Sequence, residues 1–146
     1  MTTPLWVLLA FAVWTLLVLI AGVGVYRWRR VLSGRAKPAD FTGGVPEGAP
    51  PVYRRVTRAH ANCVENLPVY AAVALTAAVA GIDTPRLDQL AIAVLIARIC
   101  QTLTHMLFPE TNRTVRIRFA FFFIQVSAML WMVAIIAMTA AFGPSP

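Results

Sequence analysis

Charge is scarce in this chain. Asp, Glu, Lys and Arg make up 13% of its 146 residues, against roughly 25% in a soluble domain. With 59% hydrophobic residues and a mean hydropathy of +0.71, that shortage excludes an ordinary soluble domain and points to a membrane protein. Negative charge is scarcer still: Asp and Glu number 6 against 13 Lys and Arg, a formal net charge of +7. The basic residues border apolar runs, and there is no soluble basic domain, so the surplus does not read as nucleic-acid binding. Anionic lipid head groups, or an anionic substrate held near the membrane, fit it better. Cysteine is almost missing. Cys63 and Cys100 lie in apolar segments without CxxC or other ligand spacing, which reads as two buried thiols serving as small apolar side chains. His60, His105 and Glu65 match no metal-ligand signature, so no metal site is expected. No positive charge precedes the first apolar run, whose first basic residue is Arg27. A cleavable secretory signal has the reverse order, so this run is expected to remain as a span. No internal repeat is present.

What the chain has is four apolar stretches of about 20 residues, the length that spans a bilayer. They run from about residue 5 to 26, 59 to 80, 90 to 108 and 115 to 142 of a single domain covering 1–146. Arg27, Arg29, Arg30, Arg35, Lys37, Arg54, Arg55 and Arg58 lie between the first two. Arg113, Arg116 and Arg118 lie at the start of the fourth, whereas the turn between the second and third has only Arg86. The positive-inside rule therefore places both basic loops in the cytoplasm and both termini outside, in a bacterial-type inner membrane. Short connections make neighbours antiparallel, so the expected fold is an all-α, up-down four-helix transmembrane bundle. The one long loop, broken by Thr42-Gly43-Gly44-Val45-Pro46-Glu47-Gly48-Ala49-Pro50-Pro51, is expected to cross the cytoplasmic mouth. Ala71, Ala72, Ala74, Ala77, Ala78 and Ala80 make the second span rich in small residues, which suggests a central, closely packed helix.

Polar residues inside a membrane span mark functional-site candidates. Arg58, Asn62 and Glu65 are spaced i, i+4, i+7, and Arg98, Gln101 and His105 are spaced i, i+3, i+7, so each set shares one helix face. With Arg113, Arg116 and Arg118, both sets belong to the cytoplasmic half. A site built from them is cationic, with a carboxylate and amides to orient a ligand. Glutathione suits it, having two carboxylates, an ammonium group and a thiol. Arginines can bind its carboxylates bidentately, Glu65 its ammonium. An arginine aimed at the sulfur would favour the nucleophilic thiolate. Each residue also has a plainer reading. Glu65 could merely pair with Arg58 or Arg98, and the three arginines of the fourth span could snorkel to head groups. His105 could be an interfacial hydrogen-bonding residue and His60 a packing residue.

The run Arg55-Val56-Thr57-Arg58-Ala59-His60-Ala61-Asn62-Cys63-Val64-Glu65-Asn66-Leu67-Pro68 resembles the signature of the MAPEG family, the membrane-associated proteins in eicosanoid and glutathione metabolism. Ala97-Arg98-Ile99 and Asn112-Arg113-Thr114 are similar to the end of helix three and the start of helix four in microsomal glutathione transferases. The resemblance spans the whole chain. It implies a homotrimer with glutathione, the co-substrate, between subunits and open to the cytoplasm. By position it implies that Arg58, Asn62 and Glu65 hold glutathione, with Arg27 at the place of a carboxylate-binding arginine and Thr114 beside Arg113, which stabilises the thiolate; Arg98, Gln101 and His105 join the expected glutathione site through their shared helix face. Members with clear activity often have histidine at the place of Gln101 and tyrosine at the place of His105, and a tyrosine is common near Ile117. These departures support glutathione binding more than any one reaction and favour a non-catalytic role slightly, while the family resemblance as a whole implies a glutathione transferase or peroxidase acting on lipophilic electrophiles. The alternative is a non-catalytic binder of lipid or glutathione. A four-helix transporter with Glu65 as a proton-coupled carboxylate is a third class, disfavoured by the long basic loop.

Overall fold

The computed structural model describes residues 1–143, and every regular element among them is helical. The first span is one helical rod of 30 residues, Thr3–Leu32. It comprises α1 (Thr3–Leu17), a π-helical segment (Val18–Gly24) and α2 (Val25–Leu32). Pro4 lies in its first turn, where a missing N–H costs nothing. The remaining spans are α3 (Pro51–Val79), α4 (Pro85–Leu107) and α5 (Asn112–Phe142). All four rods are long and apolar enough to cross a membrane. The expected four-helix membrane bundle is therefore what the chain forms.

Local chemistry sets the ends of these helices. Gly81 takes φ +66° just after α3, the left-handed geometry that glycine adopts without strain. Its N–H donates to Ala78 O and that of Ile82 to Ala77 O, which satisfies carbonyls left over at the helix end. Thr84 caps α4 by accepting from Leu87 N at 3.3 Å. Thr111 and Thr114 cap α5 reciprocally. Compared with the apolar stretches, α3 begins eight residues earlier, at Pro51 rather than Ala59. Its first two turns are polar, and helix geometry continues past the point where lipid-facing hydrophobicity stops. The helix also runs unbroken through Pro68.

The innermost helix of the single chain is α4, not the alanine-rich α3. It packs against the first span, α3 and α5, and 44% of its apolar window is buried against 28% for each of the others. Only part of α3's alanine set faces inward: Ala74 and Ala77 are buried, Ala72 and Ala80 exposed. Phe11, Tyr70, Leu87, Val94 and Met132 form the main core, and the Tyr70 hydroxyl donates to Pro4 O at 3.1 Å. A second, smaller core of Val23, Ala49, Tyr53 and Val56 sits where the first span meets the start of α3. It clamps the long loop, which contributes buried Phe41 and Ala49 and a 3-10 turn at Pro38–Phe41. Gly22 makes the close approach possible. A Cβ there would lie 2.4 Å from Val56 Cγ1.

Candidate functional site

Two antiparallel turns place the start of α3, the end of α4 and the start of α5 at one end of the bundle, where the basic residues also gather. Polar groups within the spans meet there. Arg98 and Gln101 are both buried, and Arg98 Nη1 donates to Gln101 Oε1 at 2.9 Å. Gln101 Nε2 donates to Arg118 O at 3.2 Å. Gln125, wholly buried one level deeper, donates to Gln101 Oε1 at 3.1 Å and to Phe121 O at 3.0 Å. Arg98 Cζ lies 5.5 Å from the Phe11 ring centroid, so a π face rather than a carboxylate covers part of this buried cation.

His105 joins three helices. Arg118 Nη1 lies 2.7 Å from its Nδ1, and the Asn62 carboxamide lies 3.2 Å from its Nε2. A guanidinium can only donate, so Nδ1 accepts and Nε2 carries the proton. The amide atom nearest Nε2 is Asn62 Nδ2; a protonated Nε2 needs an acceptor, so the hydrogen-bond network assigns the amide the flipped orientation, with its oxygen toward Nε2–H. Beyond this buried set, Glu110 in the α4–α5 turn lies 3.7 Å from Arg118 Nη1 and 3.8 Å from Arg58 Nη1. A cleft of about 360 Å³ opens among Arg58, Asn62, Gln101, His105, Glu110 and Arg118, with Val115, Phe119 and Phe122 as its apolar wall.

The residues singled out from sequence thus divide. Arg58, Asn62, Gln101 and His105 line one cleft, and Arg98 backs it through Gln101. Glu65 is exposed on the outer surface of α3 and does not line the cleft. Arg27 donates from Nε to Tyr53 Oη at 2.7 Å and stacks over Phe41. Arg113 is exposed and borders a different, mostly apolar cleft of about 780 Å³ with Cys100, Leu103, Thr104, Ile117 and Phe121. Thr114 is buried, and its hydroxyl donates to Pro109 O at 2.8 Å. Three participants had not been singled out: Gln125, Glu110 and, among the three arginines of α5, Arg118. No cluster of metal-ligating side chains occurs among the described residues.

A family model described as the MAPEG family matches residues 4–138 of the 146. A search of curated proteins finds no match.

Proposed function

Because this chain belongs to the MAPEG family, we propose that it is a membrane-embedded, glutathione-dependent transferase or peroxidase acting on lipophilic electrophiles. The observation that carries this reading is the cleft in which Arg58, Asn62, Gln101, His105 and Arg118 meet. It is cationic and set at the basic end of the bundle, which the positive-inside rule assigns to the cytoplasm. Arg58 and Arg118 suit a glutathione carboxylate, and Asn62 and the His105–Asn62 pair suit its peptide groups. The chemistry required of the protein is small: bind the thiol, ionise it and hold it against an electrophile. The thiolate attacks an electrophilic carbon, its sulfur forms the new bond, and the leaving group departs with the electron pair.

The same reading uses a second copy of the chain. Glu65 is an exposed carboxylate in the cytoplasmic half of a membrane span, a costly arrangement unless something covers it. Arg113 is exposed beside an apolar cleft on another face. In a homotrimer the Arg58/Glu65 side of one subunit meets the Arg113 side of the next. Glu65 then pairs with the glutathione ammonium, and the partner subunit's Arg113 faces the sulfur. The apolar cleft beside Arg113 suits the lipophilic reactant.

A non-catalytic binding role is supported by one feature: both ring nitrogens of His105 are engaged, so the ring is not free as a general base. Calorimetric titration with glutathione, read alongside ultraviolet thiolate absorbance and conjugation of a chlorodinitrobenzene, separates the readings. Binding with a thiolate signal and conjugate formation is the expected result. Binding without thiolate indicates the non-catalytic role. No binding at millimolar glutathione removes the glutathione reading.

A further inference from the structure

The first span carries a groove of about 570 Å³ that belongs to neither cleft described above. Leu19, Ile20 and Val23 wall it within the apolar run, and Arg27, Trp28 and Phe41 line its basic end. The groove is mostly apolar and faces outward: Ile20 and Trp28 are 63% and 64% exposed. Gly24 also lines it. A Cβ there would meet the Leu19 carbonyl oxygen at 3.3 Å and is otherwise in open space.

Arg27 is held in place yet has donors to spare. Its Nε donates to Tyr53 Oη at 2.7 Å, and its Cζ lies 5.4 Å from the Phe41 ring centroid. Neither of its Nη groups makes a hydrogen bond or an ion pair among the described residues. A guanidinium with free Nη donors matches the paired oxygens of a phosphate. Because Tyr53 and Phe41 already fix it, it loses little freedom on binding. Arg29, Arg30, Arg35 and Lys37 follow directly. A cluster of about four to eight basic residues just beyond a membrane helix draws the anionic lipids of the cytoplasmic leaflet. Trp28 has the place of an aromatic belt residue at the head-group level.

The groove thus has the polarity of a phospholipid, apolar toward the bilayer interior and cationic at the head groups. A second copy of the chain fits it less well, because it would have to lay an acid beside Arg27. Asp83 and Asp88 lie at the opposite end of the bundle. Asp40 accepts from the Lys37 N–H at 2.8 Å, and Glu110 faces Arg58 and Arg118. The proposed function commits Glu65 to the glutathione ammonium. Glu47 is left, on the long loop rather than on an apolar helix that could fill the groove.

We propose that this groove binds an anionic phospholipid of the cytoplasmic leaflet, with its phosphate on Arg27 and one acyl chain along Leu19, Ile20 and Val23. The assignment stands apart from the glutathione reading. Arg27 does not line the inner cleft, and the lipid gives it a partner of its own.

Native mass spectrometry of the full-length protein in mild detergent tests this, with phosphatidylglycerol or phosphatidylcholine of identical chains added. The parent chain is expected to retain phosphatidylglycerol in preference. Arg27→Gln should lower that retention about fivefold, the worth of one basic residue near an anionic lipid surface, and leave phosphatidylcholine unchanged. Arg116→Gln removes the same charge from another helix, and Tyr53→Phe removes the hydrogen bond but not the charge. Both are expected to keep most of the parent's retention. Gly24→Leu and Ile20→Trp fill the groove and should lower retention with the charge intact. Equal retention of the two lipids by the parent, or equal losses in Arg27→Gln and Arg116→Gln, overturns the site, because the charge would then act diffusely. Retention untouched by both filling variants overturns the groove as the seat of the chain, and loss of trimers in those variants alone makes a second copy its occupant. Displacement of phosphatidylglycerol by equimolar oleate would make a single-chain carboxylate the ligand in place of the phospholipid. Glutathione titration of Arg27→Gln completes the set. Lost glutathione affinity with full lipid retention overturns the assignment and returns Arg27 to glutathione.

Discussion

Arg118 and Arg58 both reach Glu110, yet their side chains are 8% and 68% exposed. This difference governs what their loss would do. Removing one partner from a desolvated charged contact costs about 2–5 kcal/mol, whereas a rim charge acts chiefly on association rate and salt dependence. Arg118→Ala is accordingly expected to weaken glutathione binding by roughly 30-fold or more. Arg58→Ala should weaken it several-fold, with the deficit shrinking at high salt. Calorimetry at two ionic strengths checks both, and equal, salt-independent losses would refute the distinction. Sequence could not rank Arg113, Arg116 and Arg118 by local context, since all three lie in the first turns of one helix. Their helical phase does separate them. Arg118 shares its face with Gln125, Met129, Met132 and Ile136, at i+7, i+11, i+14 and i+18, all of them buried. Arg113 and Arg116 fall on other faces. Arg58, Asn62, Gln101 and His105 could be grouped in advance because each pair lies on one stripe of its own helix. Glu65 lies on the same stripe as Arg58 but further along it, beyond the cleft wall. Where that wall ends depends on how α4 and α5 cross α3, and no spacing within α3 encodes it.

Element boundaries depended on two different signals. Apolar content marked the bilayer-spanning parts, but helix geometry extends past it, from Pro51 with proline in the first turn and from Asn112 with the Thr111 cap. The π-helical segment of the first span was not legible, because its glycines read as ordinary small residues of an apolar run. Structurally, Gly22 is where the rod closes on Val56. A methyl group there meets a β-branched side chain with little freedom to turn aside. Overpacking of this kind typically costs about 1–3 kcal/mol. Gly22→Ala is expected to lower the melting temperature, and adding Val56→Ala should recover most of the loss because it removes the opposing methyl groups. Thermal unfolding in one detergent, with all three variants, reports the coupling. Purely additive losses would show that the contact is not the reason for glycine at this position.

For the molecule as a whole, under the proposed function, the exposed Glu65 of α3, in no ion pair among the described residues, would tie assembly to ligand binding. Glu65→Gln removes a charge that a lone subunit would have to expose to lipid, and with it the proposed ammonium partner. The variant is expected to keep or gain stability as a protomer while losing glutathione affinity. Native mass spectrometry is expected to show trimers for the parent chain, and glutathione should raise the trimer share less in the variant. A parent chain that stays monomeric across several mild detergents, or an unaltered affinity in Glu65→Gln, would dissociate the two. The two clefts on opposite faces of the α4–α5 pair have a further consequence, in the kinetics. One is lined by Arg58, Asn62, His105, Glu110 and Arg118, and the other is walled by Leu103, Leu107, Ile117 and Phe121. Under the proposed function each reactant is drawn from its own solvent, so its availability follows how it partitions. Diluting the membrane phase with extra lipid or detergent would raise the apparent KM of the lipophilic reactant in proportion and leave that of glutathione where it was.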